Sequence, residues 1–95
     1  MIVSRTGGRF NELLGALTPE VQREAYKAYR LFRRDPSHPS LQFKEVDAKN
    51  HIWSARVTQA YRVLGRRKGN AVTWIWIGTH QEYMSRIGKH YYPQP

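Results

Sequence analysis

The apolar residues of this chain change their period once, and that change limits what the chain can fold into. Up to Phe32 they recur every three or four positions, and from Leu41 onward they recur every second position. The switch falls on Asp35-Pro36-Ser37-His38-Pro39-Ser40, a turn-rich stretch. Helices before it and strands after it predict an α+β domain, in which helices cover one face of an antiparallel meander.

In the first half, Phe10, Leu13, Leu14 and Leu17 predict a short amphipathic helix over residues 9–17. Thr18-Pro19-Glu20 then supplies an N-cap, a proline at the first helical position and an acid near the positive helix end. Val21, Ala25, Ala28, Tyr29 and Phe32 share one face of a second helix, while Arg23, Lys27, Arg30 and Arg34 lie largely away from it. Asp35 ends this helix, because the residue before a proline is pushed out of helical geometry. The two helices read as a hairpin. Strands are predicted over Leu41–Val46, Ile52–Val57, Tyr61–Gly65 and Ala71–Ile77, with turns at 47–50, 58–60 and 66–70. Residues 79–87 read as a short helix or a loop, and residues 88–95 as a flexible tail. All 95 residues are expected to form one domain, since either half alone is too small to bury a useful core.

Charge narrows the partners. Sixteen Lys and Arg against seven Asp and Glu give a formal charge of +9 and a pI near 10.4. Nucleic acid is the default partner of so basic a domain, with acidic membranes and acidic proteins as competitors. Thirteen per cent aromatics argue against a disordered basic tail. The absence of cysteine excludes a disulfide scaffold, a thiol nucleophile and a Cys-type zinc site, and fits a reducing compartment. No apolar run approaches the ~20 residues that cross a bilayer, and residues 1–8 lack a signal-peptide core. A cytoplasmic location, without membrane association, is therefore expected.

The middle hairpin permits a register. If Thr58, Gln59 and Ala60 form a three-residue loop, Val57 lies opposite Tyr61, Ala55 opposite Val63 and Arg56 opposite Arg62. Alternation then places Trp53, Ala55, Val57, Tyr61 and Val63 toward the helices, and Ile52, Ser54, Arg56, Arg62 and Leu64 on the other face. Like charges directly opposite are destabilising in a sheet. The pair either leans apart into water, shares a carboxylate such as Glu45, or holds a phosphate, for which two guanidinium forks are well shaped.

Several other residues are candidates on that face. Pairing Gly65 with Ala71 would put Trp74 and Trp76 beside Arg62, where with Arg66 they would form an RNA-binding surface that stacks unpaired bases. A one-residue slip would bury them instead. His80 follows the last strand and Tyr83 comes three residues later. A histidine there suits general acid or base work, or simply caps the segment. Lys44, expected at the sheet edge, suits phosphate binding or proton transfer. His38, His51 and His90 carry no such signal. No spacing suggests a metal site or a nucleotide-binding loop, so no cofactor is expected. Arginine, histidine and tyrosine without a metal suit one reaction: a ribose 2′-OH, deprotonated by a base, attacks the adjacent phosphorus while an acid protonates the leaving 5′-oxygen.

Over nearly its whole length the chain resembles the RelE/ParE toxin superfamily. The resemblance is carried by Phe10…Leu13-Leu14…Leu17-Thr18-Pro19-Glu20-Val21-Gln22, by Asp35-Pro36-Ser37-His38-Pro39-Ser40-Leu41…Lys44, and above all by Trp53-Ser54-Ala55-Arg56-Val57…Tyr61-Arg62-Val63 and Trp76-Ile77-Gly78-Thr79-His80…Tyr83. It implies two N-terminal helices on a curved antiparallel sheet of about four strands. It also implies a toxin of a type II toxin–antitoxin pair, most simply a ribosome-dependent endoribonuclease that cleaves mRNA, with a cognate antitoxin, mRNA and the ribosome as partners. Alternatives within the same fold are a ParE-type gyrase inhibitor and a non-catalytic RNA- or protein-binding domain. By the resemblance Arg62 and Arg56 are similar to the phosphate-binding arginines, Lys44 to a lysine after the first long strand, and His80 and Tyr83 to C-terminal acid–base groups. Two departures stand out. Trp53-Ser54-Ala55 replaces a lysine-rich strand, and the N-terminal strand looks short or missing.

Overall fold

The computed structural model describes residues 2–93. Its elements are β1 (Val3–Thr6), α1 (Gly8–Gly15), α2 (Pro19–Arg34), a 3-10 turn (Pro39–Leu41), β2 (Lys44–Asp47), β3 (Ile52–Arg56), β4 (Tyr61–Lys68), β5 (Ala71–Thr79) and α3 (His80–Lys89). The sheet runs β1-β5-β4-β3-β2, with β1 parallel to β5 and every other pair antiparallel.

Local chemistry explains the helix ends. Thr18 Oγ1 accepts the Val21 N–H at 3.3 Å, with Pro19 at the first helical position. Gln22 Nε2 donates to Leu17 O at 2.9 Å and so staples the α1–α2 connection. α2 ends at Arg34, one residue before the Asp35-Pro36 boundary. α3 begins with a capping box, in which Thr79 and Glu82 exchange side-chain and backbone bonds.

Three expectations about the sheet are corrected. It has five strands, not four, because Val3–Thr6 pairs with Ala71–Trp74. That edge strand is short and mostly exposed, so it carries no alternating apolar pattern. The first long strand begins at Lys44 rather than Leu41, since Pro39–Leu41 forms a 3-10 turn and Gln42 is left-handed. β4 continues through Arg66, Arg67 and Lys68, and Gly69, at φ +59°, supports the tight turn to Ala71.

The sheet is packed on both faces. The α1–α2 hairpin covers a core of Phe10, Leu14, Phe32, Ala55, Val63, Val72 and Trp74, and α3 covers a second core of Ile52, Leu64, Ile75, Trp76 and Tyr83. The face expected to lie open is therefore largely closed. A bulge in β5 feeds both cores: Gly65 pairs with Trp74 but Leu64 pairs with Trp76, leaving Ile75 as the extra residue. Trp74 and Trp76 consequently lie on opposite faces, each 3% exposed, and not together beside Arg62. Gly65 makes room for this arrangement, because a Cβ there would stand 2.8 Å from both Trp74 Cε3 and Val72 Cγ1.

The C-terminal segment also departs from expectation. Gly88 and Lys89 continue α3, and His90 and Tyr92 dock on Asp47 instead of fraying, while residues 94 and 95 lie outside the described residues. Asp47, 7% exposed, accepts the Tyr92 hydroxyl at 2.7 Å, His90 Nδ1–H at 2.8 Å and Asn50 Nδ2 at 2.9 Å. These bonds, from Asn50 first and then Tyr92 and His90, hold the Asp47 carboxyl well below the usual carboxylate range, against the opposing effect of burial. Burial and the Asp47 bond push the Tyr92 phenol above its ordinary value.

Two outcomes are expected. Gly65→Ala lowers stability by about 1–3 kcal/mol in urea unfolding, since neither Trp74 nor Val72 has room to yield; an unchanged midpoint contradicts the packing described. A carboxyl with a depressed folded-state pKa contributes stability above its unfolded value, near 4, that is lost as pH falls through the folded value. The stability difference between wild type and Asp47→Asn is therefore full at pH 7 and narrows below about pH 4, as urea midpoints at successive pH values will show.

Candidate functional site

The β3–β4 hairpin adopts the register read from its loop. Arg56 pairs with Arg62, Ala55 with Val63 and Ser54 with Leu64. Both arginines are half-buried, and among the described residues neither forms an ion pair with a carboxylate. Glu45, weighed as their partner, lies opposite Trp53 and so projects to the other face. Burial, and after it the neighbouring charge of Arg56, lowers the pKa of Arg62, with Tyr83 acting in the opposite sense. The guanidinium stays protonated at any ordinary pH.

Arg62 is held from below. Its Nη1 donates to Thr58 O at 2.7 Å, Tyr61 O at 3.2 Å and Gln59 O at 3.4 Å. His80 begins α3, exposed, with its backbone N–H bonded at 2.8 Å to the carbonyl of Ala60, two residues before Arg62 in the chain. The imidazole lies 5.7 Å from the Tyr83 ring, centroid to centroid. Tyr83 itself is 5% exposed, and its hydroxyl shares a 3.1 Å hydrogen bond with Ser54 Oγ. Lys44 is exposed and pairs with Ser54, which puts it on the same face, on the strand beyond Arg56.

One end of the sheet thus gathers Lys44, Arg56, Arg62, His80 and Tyr83. Of these, the two arginines offer fixed positive charge and His80 offers an exposed imidazole. Tyr83 is already engaged and mostly covered. The remaining candidates are elsewhere. Arg66 lies four residues further along β4, about 13 Å away by strand rise, and its Nη1 donates to Asn50 O at 3.0 Å. Trp74 donates from Nε1 to Ser4 Oγ at 2.9 Å and packs edge-on to Phe32. Trp76 is buried in the second core, with the Arg86 guanidinium 5.6 Å from its ring. Neither tryptophan offers a face to a base.

Sequence reading passed over Ser54 and Thr58. Thr58 carried one usable signal, a hydroxyl at the start of a three-residue loop, where it can bond the backbone two residues on. Ser54 carried none, because its partner lies 29 positions away. Among the described residues no three His, Asp or Glu side chains come together as a metal-ligand set. No helix among them is long and apolar enough to cross a membrane.

A second surface adjoins the arginine pair. An open cleft of about 760 Å3 runs between α2 and the end of β3. Ala28, Leu31, Leu41 and Val57 line it together with Lys27, Arg30, Arg33, Arg34 and Arg56, and its one acid, Glu24, pairs with Lys27 at 3.7 Å.

The ParE-like toxin domain family matches residues 19–85. The fold is similar to YafQ from E. coli strain BL21(DE3), at TM-score 0.67 and 9% identity over 87% of this chain and 98% of that one. It is also similar to a chain of the archaeal RelE–RelB complex from Pyrococcus horikoshii OT3, at TM-score 0.63 and 12% identity, covering 82% of this chain and 93% of that one. A chain of the RelB–RelE antitoxin–toxin complex from Methanococcus jannaschii aligns at TM-score 0.66 and 10% identity, covering 84% and 94%. At such identities the likeness concerns the fold. No curated protein sequence matches the chain.

The facing arginines have a measurable consequence. Arg56→Gln is expected to raise stability by about 0.2–1 kcal/mol at low salt by removing like-charge repulsion, and the gain fades as salt screens it. A loss of stability at low salt would mean that Arg56 is held by a favourable contact instead.

Proposed function

Because the chain belongs to the ParE-like toxin domain family, we propose that it is the toxin of a toxin–antitoxin pair and that it cleaves mRNA on the ribosome as an endoribonuclease. The observation that carries this reading is the Arg56–Arg62 pair, facing across the hairpin with no carboxylate partner among the described residues, and an exposed His80 whose backbone is tied to the same turn. Two guanidinium groups whose charge no carboxylate neutralises favour a phosphodiester between them, and favour it more as negative charge builds on the phosphorus.

The reaction needs only these parts. A base removes the proton of a ribose 2′-OH, and the oxygen attacks the adjacent phosphorus in line. Arg56 and Arg62 stabilise the charge on the non-bridging oxygens. The P–O5′ bond breaks, and an acid protonates the leaving 5′-oxygen, giving a 2′,3′-cyclic phosphate and a 5′-hydroxyl. The geometry supports His80 in proton transfer, because it is exposed and anchored at the arginine end. Lys44, exposed on the same face, suits the flanking phosphate. Tyr83 fits a supporting part, since its hydroxyl is committed to Ser54. Arg66, Trp74 and Trp76 have no part in this site. The route draws on no metal, and it spares DNA, which lacks the 2′-OH.

The cleft beside α2 fits the antitoxin. An apolar floor with a basic rim is complementary to an acidic amphipathic segment, and a nucleic acid gains nothing from the apolar floor. Two of the structural relatives are chains of RelE–RelB complexes, the one from Methanococcus jannaschii an antitoxin–toxin complex, and the same kind of pairing is proposed here.

A second reading, a ParE-type inhibitor that binds DNA gyrase without cutting RNA, draws support from the family match and from the burial of Trp74 and Trp76, the two tryptophans expected to stack bases beside Arg62. Transcript 5′ ends mapped after brief induction separate the two. The nuclease reading expects new 5′ ends in wild type and their loss, with restored growth, in Arg62→Ala and His80→Ala, each slowing cleavage by at least about 100-fold. Full toxicity in both variants, or gyrase-dependent DNA breaks with intact transcripts, would overturn it.

A further inference from the structure

The turn between β3 and β4 gathers two groups that the proposed reaction needs. Thr58 Oγ1 accepts the backbone N–H of Ala60 at 3.1 Å and that of Tyr61 at 3.2 Å, which curls the loop as hydroxyl-closed turns do. The curl points the carbonyls of Thr58, Gln59 and Tyr61 at a single nitrogen, Arg62 Nη1, with Thr58 O closest at 2.7 Å. The carbonyl left over, Ala60 O, takes the backbone N–H of His80 at 2.8 Å. One short turn therefore braces the arginine and the first residue of α3 together.

The rest of the guanidinium stays free. Arg62 Nε and Nη2 make no bond to protein among the described residues, and no buried side-chain nitrogen there lacks a partner, so this edge of the fork meets solvent. An arginine pinned by one nitrogen with its other edge free is an anion clamp set in advance. Its side-chain entropy is lost on folding and not when the phosphate arrives.

We propose that Thr58 is a positioning residue of this site: its hydroxyl sets the turn whose carbonyls aim Arg62 at a phosphodiester and keep His80 beside it. The inference rests on the nuclease reading above. The ligand chemistry it serves is a single phosphodiester, met at the Nε–Nη2 edge of the fork. Serine keeps the acceptor oxygen; valine keeps the shape and removes it.

The test is single-turnover cleavage of mRNA on programmed ribosomes by wild type, Thr58→Ser, Thr58→Val, Arg62→Ala and the Thr58→Val/Arg62→Ala double variant. Each is assayed below its measured melting temperature. Thr58→Ser is expected to stay within about threefold of wild type, and Thr58→Val to slow cleavage about 10- to 100-fold at saturating ribosome with the half-saturating concentration little changed. In the Arg62→Ala background Thr58→Val should cost less than it does alone, because the two changes share the Arg62 clamp and only the His80 part remains to be lost. Wild-type cleavage by Thr58→Val, or a loss fully additive with that of Arg62→Ala, overturns the proposal. Absence of cleavage by wild type counts against the nuclease reading instead. The brace is then read from the Arg62 Nε–H signal in nitrogen-15 NMR, expected sharp in wild type and Thr58→Ser and broadened in Thr58→Val. An identical signal in all three overturns it.

Discussion

The bulge at Ile75 lets a small sheet carry two cores. A regular strand would send Trp74 and Trp76 to the same face, but with one extra residue between their partners they go to opposite ones. Trp74 then packs against Phe32 and Phe43 under the helical hairpin, while Trp76 joins Ile52, Leu64 and Ile75 under α3. Gly65 supplies the space opposite the bulge. α3 docks because this second apolar face exists, and docking brings Tyr83 down to Ser54 and places His80 at the end of the sheet.

The arginine pair sits where that coverage stops. Toward the hairpin loop, the second face passes from Leu64, fully buried, to Arg62 and Arg56, half-buried. Burial and mutual repulsion both work against two cations here, and the structure answers with backbone carbonyls rather than with a carboxylate. Carbonyl dipoles orient a guanidinium without cancelling its charge, which is what the proposed phosphate contact requires. At the far end of the same face the chemistry is reversed. Asp47 there gathers Asn50, His90 and Tyr92 into a closed, anionic knot that fastens the C-terminus.

Much of the candidate site was legible because its geometry is local. Thr58, Gln59 and Ala60 make a loop of defined length, so the Arg56–Arg62 pairing follows from counting along two short strands. The Trp74 and Trp76 placement was not legible, because it depends on how far β4 runs and on a bulge that no local pattern marks. Besides β4, Ala71–Ile77 has a second neighbour on its other flank. That neighbour, Val3–Thr6, lies at the other end of the chain and is too short and exposed to declare itself.

By itself the sequence determined the succession of two helices and four strands from α1 to β5, both ends of α2, the register of the middle hairpin and the excess of positive charge. Each of these depends on residues close together in the chain, through capping, turn length or simple addition of charge. Tertiary structure alone decided which faces are open, where the tryptophans go, how α3 closes the second core and what Asp47 holds. Those outcomes rest on pairings across tens of residues, where a slip of one position moves a side chain from one face to the other.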